Sequence, residues 1–297
     1  MYSKVKAFTR MIMPSFLWST LIFIKVSSLS KDSKTLKQIK FNKLKNKAIV
    51  LGNGPSLKND LDAIVEKKYD YDFFCVNNFC SSPYYEILKP TMYLFLDGYF
   101  FNHDAHEDWI TQREETFKKI NKSTTWPMQI FLPNHADETI LQAIITNENI
   151  QIIKFRVIQF VDKNSKMNNL MYSTGFFGPY QCNVLIYAIY LAAWARYDIV
   201  DIYGADSSFH NDVQVDQLNN KLYMTFRHFN SNDTIEFLRR GYKKQDNETM
   251  FYMLDGQAKV FKAHELIEQF SKTLNVKIYN KSSSSLIDAY SREFKDK

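Results

Sequence analysis

The densest set of residues able to do chemistry lies in YGADSSFHNDVQVDQLNNKLYMTFRHFN (203–230), which holds Asp206, His210, Asp212, Asp216, Arg227 and His228. The stretch has little hydrophobic periodicity and reads as a long loop, the kind of segment that carries function in an α/β domain. His210 and His228 are candidate general bases, because imidazole titrates near neutral pH. Arg227 suits a phosphate or a carboxylate. Taken singly, each histidine would more often be a packing or surface residue; sharing one loop sets this pair apart. Asp255, in MLDG near an expected helix start, is a third candidate base.

GNGPSL (52–57) offers a different chemistry. Gly52 and Gly54 allow the backbone to turn close to a ligand, and Ser56 presents a hydroxyl and an amide at a helix start, where phosphate is favoured. A tight turn capped by Ser56 would look the same. The amides of Asn53, Asn77 and Asn78 match the donors and acceptors of a base or ribose, with turn-forming asparagine as the ordinary alternative. The chain has no GxGxxG, no P-loop lysine, no Gly-x-Ser-x-Gly elbow and no His beside its cysteines. Asp70 and Asp72 have an Asp-x-Asp spacing, but they precede a strand and read as a solvated pair at the far edge of a sheet. Chemistry without a metal or other cofactor is expected.

The elements that must position these residues alternate. KAIVL (47–51), YDFFCVNNF (71–79), TMYLFLDGYF (91–100), TWPMQIFLP (125–133), QIIKFRVIQF (151–160), DIVDIYG (198–204) and NVKIYN (275–280) read as strands. Helical spacing follows Ser56 and recurs near 136–147, over 182–197 and over 258–274. Four strands end in small or polar clusters: Gly52–Ser56, Asn77–Asn78, Asp97–Gly98 and Gly204–Asp206. In an open parallel sheet such ends share one edge, where ligands bind. The expected fold is therefore α/β: a Rossmann-like, mostly parallel sheet flanked by helices, with a lid over about 205–257. Ser282–Ser285 reads as a cap before a helix, with a role in holding an acceptor or phosphate as the functional alternative.

Composition agrees with one large domain: of 297 residues, 45% are apolar and 24% charged, and 8 Gly and 7 Pro exclude collagen-like or linker-rich architectures. Three cysteines are too few for a disulfide framework and suit a reducing compartment. The net charge of +6 is unevenly placed, because residues 1–45 carry ten Lys/Arg against the single acid Asp32. The remainder is slightly acidic, which argues against nucleic-acid binding. MIMPSFLWSTLIFI (11–24), flanked by basic residues, falls short of the roughly 20 residues a spanning helix needs. It reads as an amphipathic helix lying on an anionic membrane surface through residues 1–30, with docking on the protein's own core or a partner subunit as the alternative. Residues 27–45 read as a polar connection, which gives a boundary of 1–45 and 46–297.

GNGPSL after KAIVL, the strand end at Asn77, the STG at 173–175 and AIYLAAWARYDIVDIYGAD (188–206) resemble bacterial sialyltransferases of glycosyltransferase family 42. The same features are similar to a wider group with motility accessory factors and pterin diphosphokinase-like proteins. The resemblance covers roughly residues 47–290. It implies that Asn53, Gly54, Ser56 and Asn77 contact the nucleotide, that Ser173, Thr174 and Gly175 line the donor site, and that Asp97, Gly204 and Asp206 border it. Where those sialyltransferases carry a general-base His, this chain has Asp255, so the base stays open among His228, His210 and Asp255. The implied activity is a metal-independent inverting glycosyltransferase using a nucleotide-sugar donor, CMP-linked by resemblance, on a glycan or lipid-linked acceptor. Arg227 and Tyr252 would then stabilise the phosphate or acceptor. Such an enzyme would build a bacterial surface polysaccharide or lipooligosaccharide from the cytoplasmic side of the inner membrane, with oligomerisation open. The alternatives are a magnesium-dependent diphosphokinase-like transferase using Asp97 and Asp206, and a membrane-tethered nucleotide-sugar-binding protein without catalysis.

Overall fold

The structure, a computed structural model, describes residues 33–228, 231–236 and 248–292, the side chains of 226–228 and 231–236 excepted. The amphipathic segment expected over residues 1–30 lies outside the described residues. Chain order runs β1 (Lys47–Leu51), α1 (Leu57–Glu66), β2 (Tyr71–Val76), α2 (Tyr84–Leu88), β3 (Met92–Leu94), α3 (Glu107–Ser123), β4 (Met128–Pro133), α4 (Thr139–Gln142) and β5 (Ile150–Phe155). It continues with β6 (Ile158–Gln159), α5 (Ser165–Ser173), β7 (Phe177–Gly178), α6 (Val184–Trp194), β8 (Ile199–Tyr203), β9 (Val213–Val215), β10 (Leu222–His228), β11 (Ser231–Glu236), α7 (Met250–Thr273) and β12 (Lys277–Asn280).

Seven strands form one sheet in the order β12-β8-β1-β2-β3-β4-β5, and every adjacent pair is parallel. Strand alternation sends Ala48 and Val50 of β1 into one core with α5, α6 and α7. Ile49 and Leu51 enter the other, with α1, α2 and α3. Both faces are covered, so the strands read as continuous apolar runs. Helix α6 is buried from Val184 through Ala193, which explains its apolar character all round. The sheet is thus Rossmann-like, and its order turns at β1: the chain builds outward through β2–β5, then returns to place β8 and β12 on the other side. The carboxyl ends of β1 and β8 meet at that switch point.

Five expectations are corrected here. The stretch 203–230 is not one long loop: it contains β9 and β10, which with β11 form a three-stranded antiparallel sheet, with Leu222 and Met224 buried. The C-terminal helix begins at Met250, capped by Thr249, and the helix expected near 136–147 is confined to Thr139–Gln142. Asp72 is no solvated residue: it is 2% exposed and accepts from Leu44 N, Lys45 N and the Tyr197 hydroxyl at 2.8–3.0 Å. Residues 33–45, expected as a polar connection, pack onto the domain through buried Leu36 and Ile39 and a parallel bridge of Lys34 to Phe155. Among the described residues no helix is long and apolar enough to cross a membrane.

Candidate functional site

At the switch point the turns after β1 and β8 cross each other. Gly52 N donates to Tyr203 O at 2.8 Å and Gly54 N to Gly204 O at 2.9 Å. A Cβ on Gly52 would strike the Gly204 carbonyl, and one on Gly54 would strike that carbonyl and the Asp206 carboxylate. Gly204 also has φ +64°, which favours glycine. The glycines of GNG therefore answer first to backbone crossing. Ser56 opens α1, and Asp206 reaches it from 150 residues away: Oδ2 accepts from Ser56 Oγ at 2.7 Å and Oδ1 from Ser56 N at 3.2 Å. Burial pushes the Asp206 carboxyl above the usual carboxylate range, with the Ser56 bonds pulling the other way. An internal carboxylate thus holds the helix start that sequence reasoning assigned to a phosphate. Ser282 and Ser285 hold the Ala205 backbone, the first accepting from its N–H and the second donating to its carbonyl.

These strand ends form the floor of a cleft of about 630 Å³, within the roughly 300–1,000 Å³ typical of small-molecule sites. Asn77 ends β2 with φ +48°, a left-handed conformation uncommon for a non-glycine residue. Two contacts hold it: its carbonyl accepts from the Tyr93 hydroxyl at 2.6 Å, which itself accepts from Cys80 N, and Asn77 Nδ2 donates to Asp97 at 2.7 Å. Asn77 Oδ1 remains buried without a hydrogen-bond partner. Asn53 joins the floor and donates to Val76 O at 3.2 Å. One end is closed by residues 181–185, where Asn183 caps α6 by accepting from Leu185 N at 2.8 Å. The roof comes from Phe209, Met224 and the first turns of α7. On α7, Asp255 and Lys259 pair across one turn, and Gln257 Oε1 is buried without a partner. The protein around Cys182 pushes its thiol up to about 11, which keeps it protonated at neutral pH. Among the described residues no three His, Cys, Asp or Glu side chains group closely enough to hold a metal.

No protein-family model and no curated protein matches the chain. Among solved structures, the chain is similar to the MAf glycosyltransferase from Magnetospirillum magneticum AMB-1, at 12% identity and a TM-score of 0.44. The match covers 89% of this chain and 36% of that one, so the chain spans about a third of the length of the protein it matches.

Of the residues singled out in the sequence, Asn53, Gly54, Asn77, Asp97, Gly204, Asp206, Tyr252 and Asp255 all line this one cleft. Ser56 does not; it lies beneath the floor, 4% exposed. Ser173, Thr174 and Gly175 stand elsewhere and are not among the residues that line this cleft. Ser173 ends α5, and Thr174 and Gly175 form the turn after it: Ser173 Oγ donates to Leu170 O, Thr174 Oγ1 donates to Met171 O, and Gly175 O accepts from Leu36 N. His210 is outside the cleft lining; its ring packs against Phe261 at 6.4 Å and its Nδ1 is buried without a partner. Arg227 and His228 belong to β10, and their side chains lie outside the described residues. Asp206 accepts from Ser56, and Asp97 accepts from Asn77. Sequence reasoning missed Gln257, Lys259 and Asn183. Asn183 before an apolar helix was the one legible signal, as an N-cap.

Proposed function

We propose that the cleft binds a nucleotide-linked sugar and that the chain is an inverting glycosyltransferase. The observation that carries this reading is Asn77. A non-glycine residue held left-handed by two hydrogen bonds, with a buried acceptor left unpaired at a sheet's switch point, is the kind of strain that functional sites retain. A ligand hydroxyl or exocyclic amine satisfies that oxygen. Asp255, on the cleft wall, is the base of this reading: it takes the acceptor hydroxyl's proton as the oxygen attacks the anomeric carbon and the nucleotide phosphate departs. Tyr252 stands beside it to meet the phosphate or the acceptor. A CMP-linked donor, a sialic acid- or Kdo-like sugar, and a surface-glycan product rest on the motif resemblance. Residues 1–30 would hold the enzyme on the cytoplasmic face of the inner membrane, near a lipid-linked acceptor.

A thermal-shift panel of CMP, UDP, GDP and ATP, with and without EDTA, tests the reading. One nucleotide at 100 times its dissociation constant should stabilise by about 2.7 kcal/mol, and CMP is the one expected. Stabilisation by none of them would remove the nucleotide-sugar reading, and stabilisation lost in EDTA would remove its metal independence.

A further inference from the structure

The charge of the cleft is lopsided. Among its described lining residues stand four carboxylates, Asp97, Asp206, Asp212 and Asp255, against a single cation, Lys259. Among those described residues, that ammonium is the side chain whose charge attracts a phosphate. Lys259 Nζ is paired with Asp255 Oδ2 one turn earlier on α7, and the two side chains are 43% and 42% exposed. Packing locks neither, and an i,i+4 pair this exposed holds weakly. The donor's phosphodiester offers the same ammonium one charge on two free oxygens, as a carboxylate does, and a second charge develops there as the bond to the sugar breaks. Cys182 also neighbours Lys259 but, as a protonated thiol, offers no competing anion.

We infer that Lys259 is the phosphate-binding residue of the cleft, and that it exchanges Asp255 for the donor's phosphate on binding, so that loading the donor frees the Asp255 carboxylate. This rests on the nucleotide-sugar reading and adds to it a residue and an order of events. With the donor in place, Asp255 accepts the proton of the acceptor hydroxyl, and the oxygen's electron pair forms the new bond to the anomeric carbon. The bond from that carbon to the phosphate oxygen breaks, and its electrons stay on the phosphate beside Lys259. The base is unmasked only when there is a donor to attack.

Calorimetric titration of the full-length protein with CMP, UMP, GMP and AMP, each beside its parent nucleoside, tests the exchange. The wild type should bind one monophosphate more tightly than its nucleoside. Lys259→Met should weaken that monophosphate about tenfold and leave the nucleoside unchanged, with Lys259→Arg restoring most of the loss. Asp255→Asn should tighten the monophosphate about threefold where Lys259 is present, and not in the Lys259→Met background. No loss in Lys259→Met, or an equal loss for nucleoside and monophosphate, would overturn the role of Lys259. An equal gain from Asp255→Asn in both backgrounds would reveal simple repulsion and overturn the exchange. A wild type that binds no nucleoside and no monophosphate would overturn the nucleotide reading itself, and this inference with it.

Discussion

The floor and the roof of the cleft are built on opposite terms. In the floor, polar groups are committed to one another: Gly52 and Gly54 cross the turn after β8, Asp206 holds Ser56, and Tyr93 and Asp97 hold Asn77. In the roof, Asp255 and Lys259 make one weak pair and Tyr252 is 51% exposed. In the proposed reading the strand ends position the donor, while the elements added after β8 carry the groups that react with it. Substitutions in the floor should therefore act first on stability, and those in the roof on binding and turnover.

The hardest blow to that division is Gly54→Ala. Its Cβ would meet the Asp206 carboxylate and the Gly204 carbonyl, neither able to withdraw cheaply. Urea denaturation should show a loss of about 3 kcal/mol or more; a loss below about 1 kcal/mol would mean that the floor yields as readily as the roof.

The second test asks what anchors the roof. Further along α7, His264 is 1% exposed, its Nδ1 lies 2.9 Å from the Tyr290 hydroxyl, and burial lowers its pKa to about 3. The unfolded chain titrates at the ordinary value near 6.5 and so takes up the proton first as pH falls. The stability tied to neutral His264 is complete above that pH and is lost progressively down to about 3. Between pH 7 and pH 5 the wild type should lose about 2 kcal/mol more than His264→Gln. Parallel pH curves for the two proteins would show that His264 contributes nothing to anchoring.

Tyr93→Phe sharpens the floor. It leaves Asn77 O and Cys80 N without the hydroxyl that joins them. A loss of about 1.5 kcal/mol is expected, together with weaker nucleotide binding as Asn77 leaves its left-handed conformation. Unchanged nucleotide binding would separate the conformation of Asn77 from the ligand. Smallest of all, Ser173→Ala should change stability by less than about 0.5 kcal/mol and leave nucleotide binding untouched, because Ser173 is the exposed last residue of α5, outside the cleft. An effect on binding would extend the floor to a region that the fold keeps apart from it.

Much of the fold was legible because parallel strands covered on both faces announce themselves as apolar runs. KAIVL and the strand 198–204 were read within a residue or two of β1 and β8. The segment 203–230 was misread as loop because β10 borrows its stability from its neighbours, with a short apolar alternation of its own. STG and GNG looked equivalent, each a small-residue turn between elements. Yet Gly175, at φ +78°, turns under residues 35–37, while Gly54 turns at the switch point. Turn chemistry is local, and the edge of the sheet a turn reaches is not.

What the sequence determined by itself is the order of strands and helices and the clustering of polar residues at strand ends, since side-chain periodicity and parallel connection both act over a few residues. Only the tertiary structure decided which of those polar groups remain open. Asp206 lines the cleft already bonded to Ser56 across 150 positions, whereas Asp255, among the described residues, pairs with Lys259 one helical turn away. Hydrogen-bond partners far apart in the chain leave no local pattern, so the vacancy or commitment of a carboxylate is set when the two turns meet.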